Sequence, residues 1–238
     1  MCGRFVSASP PDKIARYFDA APDGERVLEP SYNVAPTNDV YAVLEHGGVR
    51  KLETLHWGLV PFWAKDPSVG NRMINARAET LADKPAYRNA FKKRRCIIPA
   101  DGFYEWQKIP GQKHKQPMYM HRADGEPLAF AGLWEVWRPK DQPADGGPGE
   151  ELHSCTIITG LPNEKVAPVH DRMPVILPAS AWDTWLSPEV DDVDLLGSFL
   201  VPAPSSLIAL HPVSTEVNNV RNKGPHLVEP AEPEVAAS

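Results

Sequence analysis

The chain has 238 residues, of which 42% are hydrophobic, and its formal net charge is −6. This length and apolar content suit a globular protein with a substantial core. No apolar run approaches the roughly 20 residues of a membrane span, and the N-terminus lacks the basic and apolar regions of a signal peptide. We therefore expect a cytoplasmic protein that does not bind membranes.

The cysteines and histidines do not form a recognisable metal or disulfide pattern. Cys2, Cys96 and Cys155 are odd in number and widely separated, which argues against a disulfide framework and a structural zinc site. The eight histidines are scattered and include no HExxH pattern. We expect no metal and no cofactor.

The predicted elements begin with a short helix in SPPDKIARYFDA, where Ser9 is the expected N-cap. The stretch VYAVLEHGGVRKLETLHWGLVPF alternates apolar and polar residues around Gly47 and Gly48, which predicts a β-hairpin. Helical periodicity follows in ETLADKPAYRNAFKKRR. It leads into CIIPADGFYEWQKI, which predicts a strand, a turn and a strand.

The second half of the chain shows the same mixture. QPMYMHRADGEPLAFAGLWEVW predicts a second hairpin with its turn at Asp124 and Gly125, and HSCTIITG predicts a strand. ASAWDTWL and VDDVDLLGSFL predict short helices, and SLIALHPVS a late strand. Residues 139–150 are expected to form a surface insertion, and residues 229–238 a disordered tail.

Proline occurs 26 times and throughout the chain, which favours short strands and turns over long helices. The sequence contains no internal repeat and no linker that would divide two cores. It therefore predicts one mixed domain that is rich in antiparallel strands, and we expect a monomer.

Charge is distributed unevenly. Residues 70–95 contain eight basic and two acidic side chains, whereas acidic residues collect in 141–151 and after Glu229. A basic segment can be an ordinary solvated surface or a footprint for phosphates. The negative net charge alone therefore does not exclude nucleic-acid binding.

Cys2 is placed unusually, directly behind the initiator methionine in MCGRF. Because cysteine is small, an aminopeptidase is expected to remove Met1. Residue 2 would then carry an α-amine with a reference pKa of about 8 and a thiol with one of about 8.5. Most unpaired cysteines are inert core residues, but this position offers two nucleophiles on one residue.

Three further polar residues lie at predicted element edges, where a pocket could form. Asn75 in MINARAET either caps a turn or points into a cleft. Glu105 lies between Tyr104 and Trp106, so it is either a cross-strand ion-pair partner or a desolvated carboxylate suited to proton transfer. His170 in VHDRMPV is suited to acid and base chemistry. With Cys2, these residues include every group that covalent catalysis needs.

Aromatic and basic side chains could form a groove for a single strand. HWGLVPFWAKD contains Trp57, which we assign to the core, and Phe62 and Trp63, which are candidates either for packing or for stacking on bases. Arg4 and Arg77 each lie close in sequence to a candidate reactive residue, where they could hold phosphates.

The combined motifs resemble the SOS response-associated peptidase family, whose members are also called abasic site processing proteins. The resemblance runs in collinear order from residue 2 to about residue 228, outside the insertion and the tail. It rests on MCGRF, YNVAPT, WGLVPFW, INARAET, RRCIIPADGFYEW, HDRMPVIL and HPVSTEVNNVRNKG.

The resemblance implies a compact α+β domain with an antiparallel, barrel-like sheet and a groove for single-stranded DNA. It also implies a suicidal activity, in which the N-terminal cysteine attacks the aldehyde of an abasic site and stays attached as a thiazolidine. Only an N-terminal cysteine carries an amine and a thiol at the separation that closes this five-membered ring.

The resemblance assigns roles to individual residues. Cys2 is the nucleophile, Asn75 the orienting amide, and Glu105 and His170 the proton-transfer groups, with His170 opening the deoxyribose ring. The residues expected to contact DNA are Arg4, Asn33, Phe62, Trp63, Arg77 and Thr159. The family name also implies an autopeptidase that removes Met1.

Two other functions fit parts of the sequence. In an N-terminal-nucleophile glutamine amidotransferase, Cys2 would attack a side-chain amide. The absence of an Asn-Gly pair and of a second synthetase domain counts against this class. In a non-covalent single-strand binding module, Cys2 would be incidental. A glutaminase assay excludes or supports the first alternative, and boiling in detergent tests the second.

Overall fold

The computed structural model describes residues 2–22, 26–139 and 151–232. Residues 140–150 of the predicted insertion and residues 233–238 of the predicted tail lie outside this description. Among the described residues, every helix is too short or too polar to span a lipid bilayer.

Short strands dominate the described chain, as the frequent prolines predict. The strands are β1 (Phe5–Ser7), β2 (Ala21–Pro22), β3 (Ser31–Val34), β4 (Asp39–His46), β5 (Val49–Trp57), β6 (Asn75–Arg77), β7 (Arg95–Ala100), β8 (Gly102–Gln107), β9 (Gln116–Arg122), β10 (Leu128–Trp137), β11 (Leu152–Gly160), β12 (Met173–Pro174) and β13 (Ile208–Pro212). The α-helices are α1 (Pro11–Tyr17), α2 (Arg88–Lys93), α3 (Trp182–Leu186) and α4 (Val193–Ser198).

Five strands close into a barrel. β5, β4, β7, β10 and β11 pair in this order with antiparallel neighbours. β11 then pairs with β5 in parallel, with Ser154 opposite His56 and Cys155 opposite Trp57. Closure removes the exposed edges of these strands. The α+β class and the barrel-like sheet are confirmed, although this closing pair makes the barrel mixed.

A second, antiparallel sheet packs beside the barrel in the order β13, β9, β8, β1 and β3. The core between the sheet and the barrel contains aromatic rings in edge contacts. Phe5 of the sheet lies 5.1 Å from Trp57 and 6.2 Å from Phe130 between ring centroids, and Phe103 lies 5.8 Å from Phe130. Such contacts fix the first strand, and with it the N-terminal segment, against the barrel.

The hairpin of β4 and β5 is confirmed. Gly47 and Gly48 form its turn at φ angles of 59° and 81°, which glycine adopts readily.

The other barrel face is covered by the short helices, whose residues Ile14, Phe91 and Trp185 belong to one buried cluster. Because both faces are covered, β4 is apolar over most of its length.

The hairpin predicted at Asp124 and Gly125 is wrong. The turn forms, with Gly125 at φ 76°, but its two flanking strands belong to different sheets. β9 pairs with β8 and β13, and β10 pairs with β7 and β11. Each strand thus has partners on both edges. The turn signal predicts a reversal of the chain, but it does not select the pairing.

The ends of two predicted segments also differ. Ser9 is not an N-cap, because helix α1 begins after Pro10 and the Ser9 hydroxyl donates to Asp101 Oδ1. The disorder expected after residue 229 is not found at Pro230 and Ala231, since Pro230 forms a β-bridge with Val213 and Ala231 N donates to Pro212 O.

Candidate active site and nucleic-acid interface

Cys2 is fully buried beside the second sheet. β1 runs antiparallel to β8 with Phe5 opposite Phe103, and Tyr104 N donates to Arg4 O at 3.0 Å. Continuing this register toward the N-terminus brings the segment with Cys2 alongside Glu105. The thiol contacts its own segment, at 3.9 Å from Sγ to Arg4 O.

Asn75 reaches Cys2 from the barrel. Its Nδ2 donates a hydrogen bond to the Cys2 carbonyl at 2.8 Å. The preceding backbone is fixed on two sides, because Ile74 O accepts from the Trp57 indole at 2.9 Å and from Ile157 N at 3.1 Å. The side-chain amide therefore acts on Cys2 rather than as a turn cap.

A close approach of two glycines supports this placement. Gly58 has φ 143°, and a Cβ there would lie 2.7 Å from the carbonyl oxygen of Gly70. Leu59 N donates to Met73 O at 3.2 Å beside this contact. The segment that leads to β6 can therefore lie directly on the end of β5.

Glu105 and His170 form the other side of the cluster. Glu105 Oε2 lies 3.8 Å from His170 Nε2, and only 3% of the Glu105 side chain is exposed. His170 ends a loop whose backbone turns on itself, with His170 N donating to Val166 O at 3.0 Å. The structure thus brings Cys2, Asn75, Glu105 and His170 together, although they are distant in sequence.

Burial sets the ionisation of this cluster. It raises the pKa of Glu105 above the ordinary value of 4.5, while nearby positive groups, His170 among them, lower it. Burial also raises the pKa of the Cys2 thiol, and the charge of Glu105 raises it further. At neutral pH the buried Cys2 thiol is therefore protonated.

Arg4 is held in a network that includes Asn33. The guanidinium donates to Asn33 Oδ1 at 2.8 Å and to Val217 O at 2.9 Å, and it lies 5.9 Å from the Trp106 ring centroid. Asn33 is fully buried, and its Nδ2 lies within hydrogen-bond distance of the carbonyls of Val217, Asn219 and Asn222. Asn33 therefore fixes the loop that surrounds Arg4 and is not itself at the surface.

Arg77 and Thr159 are neighbours in the register of β6 and β11. The Arg77 side chain is exposed, whereas Thr159 is fully buried and its hydroxyl lies 3.5 Å from Ala76 O. Phe62 and Trp63 lie on a turn after β5 and are 55% and 49% exposed, in contrast to the fully buried Trp57. The assignment of Trp57 to the core is confirmed.

The basic segment 70–95 does not form one surface. Arg95 is buried, and its guanidinium donates to the carbonyls of Trp185, Phe91 and Val190 at 2.6–2.9 Å. Arg94 forms an ion pair with Glu135 at 2.8 Å. These two residues stabilise the fold, and the exposed cations that remain are Arg72, Arg77, Lys84, Arg88, Lys92 and Lys93.

Sequence analysis did not identify Glu79 and Arg172, which lie beside His170 and Thr159. Arg172 donates to Glu79 through both Nη atoms, at 2.7 and 2.9 Å, and to Thr159 O at 2.6 Å. The position of Arg172, two residues after His170, was the only available signal. Among the described residues, no group of three or more His, Cys, Asp or Glu side chains is arranged to hold a metal ion.

Comparison with known proteins identifies relatives along nearly the whole chain. The model of the family "SOS response associated peptidase (SRAP)" matches residues 1–220. Abasic site processing protein YoqW of Bacillus subtilis (strain 168) is 43% identical over 232 residues, which cover 96% of this chain and 99% of YoqW. Abasic site processing protein YedK of Escherichia coli (strain K12) is 33% identical over 239 residues, which cover 97% of this chain and 100% of YedK.

Solved structures share the fold. A Bacteroides thetaiotaomicron protein matches with a TM-score of 0.84 at 24% identity, and the match covers 97% of this chain and 100% of that one. A Bordetella bronchiseptica protein matches with a TM-score of 0.72 at 27% identity, covering 90% of this chain and 100% of that one. The family model and the relatives show that the chain belongs to the SOS response associated peptidase (SRAP) family.

Proposed function

We propose that this protein recognises abasic sites in single-stranded DNA and captures them covalently through Cys2. The observation that carries the proposal is the convergence of Asn75, Glu105 and His170 on the N-terminal segment. The names of the relatives, which are abasic site processing proteins, support the choice of substrate.

The proposed reaction needs the free amine of Cys2, so Met1 is removed first. A cellular aminopeptidase can remove it, or Cys2 itself can act as an autopeptidase, which would agree with the word peptidase in the family description. The amine then attacks the aldehyde carbon of the opened sugar, and water leaves as the imine forms. The thiol sulfur adds to the imine carbon, and its proton passes to the nitrogen to give a thiazolidine.

The ionisation of Cys2 supports an order for the two proposed attacks. Burial and the charge of Glu105 keep the Cys2 thiol protonated, which makes it a weak first nucleophile. The amine therefore reacts first, and the thiol closes the ring once the electrophilic carbon is attached to the same residue. Formation of the ring is then intramolecular, which removes most of the entropic cost.

Glu105 and His170 move the protons in this scheme. Burial raises the pKa of Glu105 above its ordinary value, which makes this carboxyl group a better proton acceptor than an exposed glutamate. Glu105 therefore assists loss of water and transfer of the thiol proton around the imine. His170, whose Nε2 faces Glu105, donates to the ring oxygen of the deoxyribose as the bond between this oxygen and C1 breaks. The C1 hydroxyl gives up its proton to water, and the aldehyde results.

The DNA strand is proposed to pass over the exposed arginine and aromatic residues around this centre. Arg77 offers a guanidinium that makes no hydrogen bond to the described residues, and Arg4 is partly exposed above Trp106. Both would hold phosphates. Phe62 and Trp63 would stack against bases, a contact that does not depend on sequence. Thr159 and Asn33 would support Arg77 and Arg4 from beneath.

Intact-mass analysis with and without an abasic single-stranded oligonucleotide tests the proposal. We expect a chain that lacks Met1 and, after incubation, a species heavier by the oligonucleotide minus one water. The same oligonucleotide with a reduced sugar, which cannot form an aldehyde, should add no mass. A protein that lacks Met1 and binds the abasic strand without any covalent product would contradict the proposal and favour a non-covalent binding module.

A further inference from the structure

The imidazole of His170 meets two different groups at Nδ1. The backbone N–H of Arg172 donates to Nδ1 at 3.0 Å, and Asp171 Oδ1 lies 2.9 Å from the same atom. A backbone amide only donates, so its hydrogen bond requires a lone pair on Nδ1. A carboxylate only accepts, so its contact favours a proton there.

The hydrogen bond from the Arg172 amide influences the ring more strongly than the contact with the Asp171 carboxylate. The Asp171 side chain is 88% exposed, and water screens its attraction for a ring proton. The backbone of Arg172 is anchored by the side chain of the same residue. The Arg172 amide therefore favours the neutral imidazole that carries its proton on Nε2, and this nitrogen lies 3.8 Å from Glu105.

The anchor of this backbone is the ion pair of Arg172 with Glu79. The pair is bidentate, at 2.7 and 2.9 Å, and Arg172 also donates to Thr159 O at 2.6 Å at the end of β11. A planar guanidinium that is held at three acceptors leaves its main chain little freedom. The pair also lowers the pKa of Glu79, so the carboxylate stays charged.

We propose that Glu79 and Arg172 are positioning residues that set the tautomer of His170. They hold the Arg172 amide against the lone pair of Nδ1 and so keep the single proton of the neutral ring on Nε2. The neutral imidazole then has a hydrogen-bond donor on the side of Glu105, and such a donor can polarise an oxygen of the sugar without being charged. The inference rests on the proposed function, because it specifies how His170 acts in that reaction.

Nuclear magnetic resonance of the DNA-free protein tests the tautomer directly. Long-range ¹H–¹⁵N correlations distinguish a protonated Nε2 from a protonated Nδ1, and the signals of His170 are assigned with His170→Asn. At a pH where the ring is neutral, we expect the Nε2–H form in the wild type. Glu79→Ala and Arg172→Gln should each shift the ring toward a mixture, and Glu79→Gln, which keeps an acceptor oxygen, should shift it less.

Kinetics and binding provide the second readout. In Glu79→Ala we expect the rate of adduct formation at saturating protein to fall about three- to tenfold. This is the effect of losing one hydrogen bond, the one from the Arg172 amide that favours the Nε2–H tautomer. Affinity for an intact single strand should stay within about twofold. Glu151→Gln is the matched control, because Glu151 also pairs with an arginine, Arg138, but on an exposed site away from His170. It should change neither quantity.

The outcomes separate this inference from the proposed function. An unchanged tautomer in both Glu79→Ala and Arg172→Gln, in folded protein, would overturn the inference even if adduct formation were normal. Lost DNA affinity with an unchanged tautomer would also overturn it and would assign Arg172 to a phosphate. Absence of any adduct in the wild type would refute the proposed function, whereas the spectra would still decide the tautomer.

Discussion

The side-chain amide of Asn75 donates from Nδ2 to the backbone carbonyl of Cys2 at 2.8 Å. This bond connects β6, which pairs with the barrel strand β11, to the N-terminal segment beside the second sheet. The other amide atom, Asn75 Oδ1, is buried and accepts no hydrogen bond from the described residues. An unsatisfied acceptor beside Cys2 suits a donor that arrives during the reaction, such as the α-amine exposed by removal of Met1.

Asn75→Ala should therefore slow adduct formation. Loss of one hydrogen bond that orients the nucleophile predicts a rate about five- to tenfold lower at saturating protein. Asn71→Ala, an exposed amide in the preceding segment, is the matched control and should react normally. Time courses of crosslinking on denaturing gels measure both. Equal rates for Asn75→Ala and the wild type would show that Cys2 does not need this amide.

The candidate site was more predictable than its surroundings. Cys2, Asn75, Glu105 and His170 were each selected by residue type and by position at an element edge, and the structure brings all four together. The ion pair of Glu79 and Arg172 was not found, because its partners are 93 positions apart and each resembles an ordinary surface charge.

The limits on fold prediction were set by long-range pairing. Period-two patterns located most strands, but Asp124 and Gly125 indicated a hairpin where β9 and β10 enter different sheets. Arg95 shows the same limit for charge. It ends a basic run that predicts exposure, yet it is buried and donates to the backbone carbonyls of Trp185 in α3 and Phe91 in α2. Neither outcome is encoded in local sequence.

Cys2 should be essential for a detergent-stable adduct, whereas Cys96 and Cys155 should not. All three thiols are buried and have raised pKa values, so thiol reactivity alone does not distinguish them. Only residue 2 can supply an adjacent α-amine. Cys2→Ala retains the amine and should give an adduct only after trapping with borohydride, and Cys96→Ala should give one without it. Undiminished adduct from Cys2→Ala without reductant would exclude a thiazolidine.

An additional residue retained before Cys2 should abolish capture. Acylation of the amine prevents imine formation while the thiol stays in place. A chain with an uncleavable N-terminal tag tests this, and the same tag placed at the C-terminus is the control. Intact mass must confirm that the N-terminal tag is present. If such a chain still formed the thiazolidine at the normal rate, the amine would have no part in the reaction.

Glu105→Gln should stabilise the fold at high pH. Burial raises the pKa of Glu105, so the folded state binds the proton more tightly than the unfolded state. This stabilisation is fully present below the unfolded pKa of 4.5 and is lost as pH rises through the folded pKa. Gln avoids the loss.

The melting temperature of Glu105→Gln should therefore exceed that of the wild type at pH 8, and the difference should disappear near pH 4. Each 1 kcal/mol moves the melting temperature of a domain of this size by roughly 2–4 °C. Thermal denaturation at both pH values measures the effect, and Glu164→Gln, an exposed carboxylate, is the control. If the wild type were the more stable protein at pH 8, burial of the charged Glu105 carboxylate would not destabilise the fold.

Arg77→Ala should weaken binding to intact single-stranded DNA of every sequence. The Arg77 side chain is exposed at the end of β6, two residues after Asn75, and a guanidinium that neutralises one phosphate releases its counterion. The slope of log affinity against log salt should become shallower by about 0.7, the contribution of one contact to a single strand. Arg88→Ala is the matched control, because Arg88 is an exposed arginine of the same basic segment on helix α2. Fluorescence anisotropy across a salt series measures both slopes. An unchanged slope for Arg77→Ala, or an equal loss for Arg88→Ala, would place the strand away from β6.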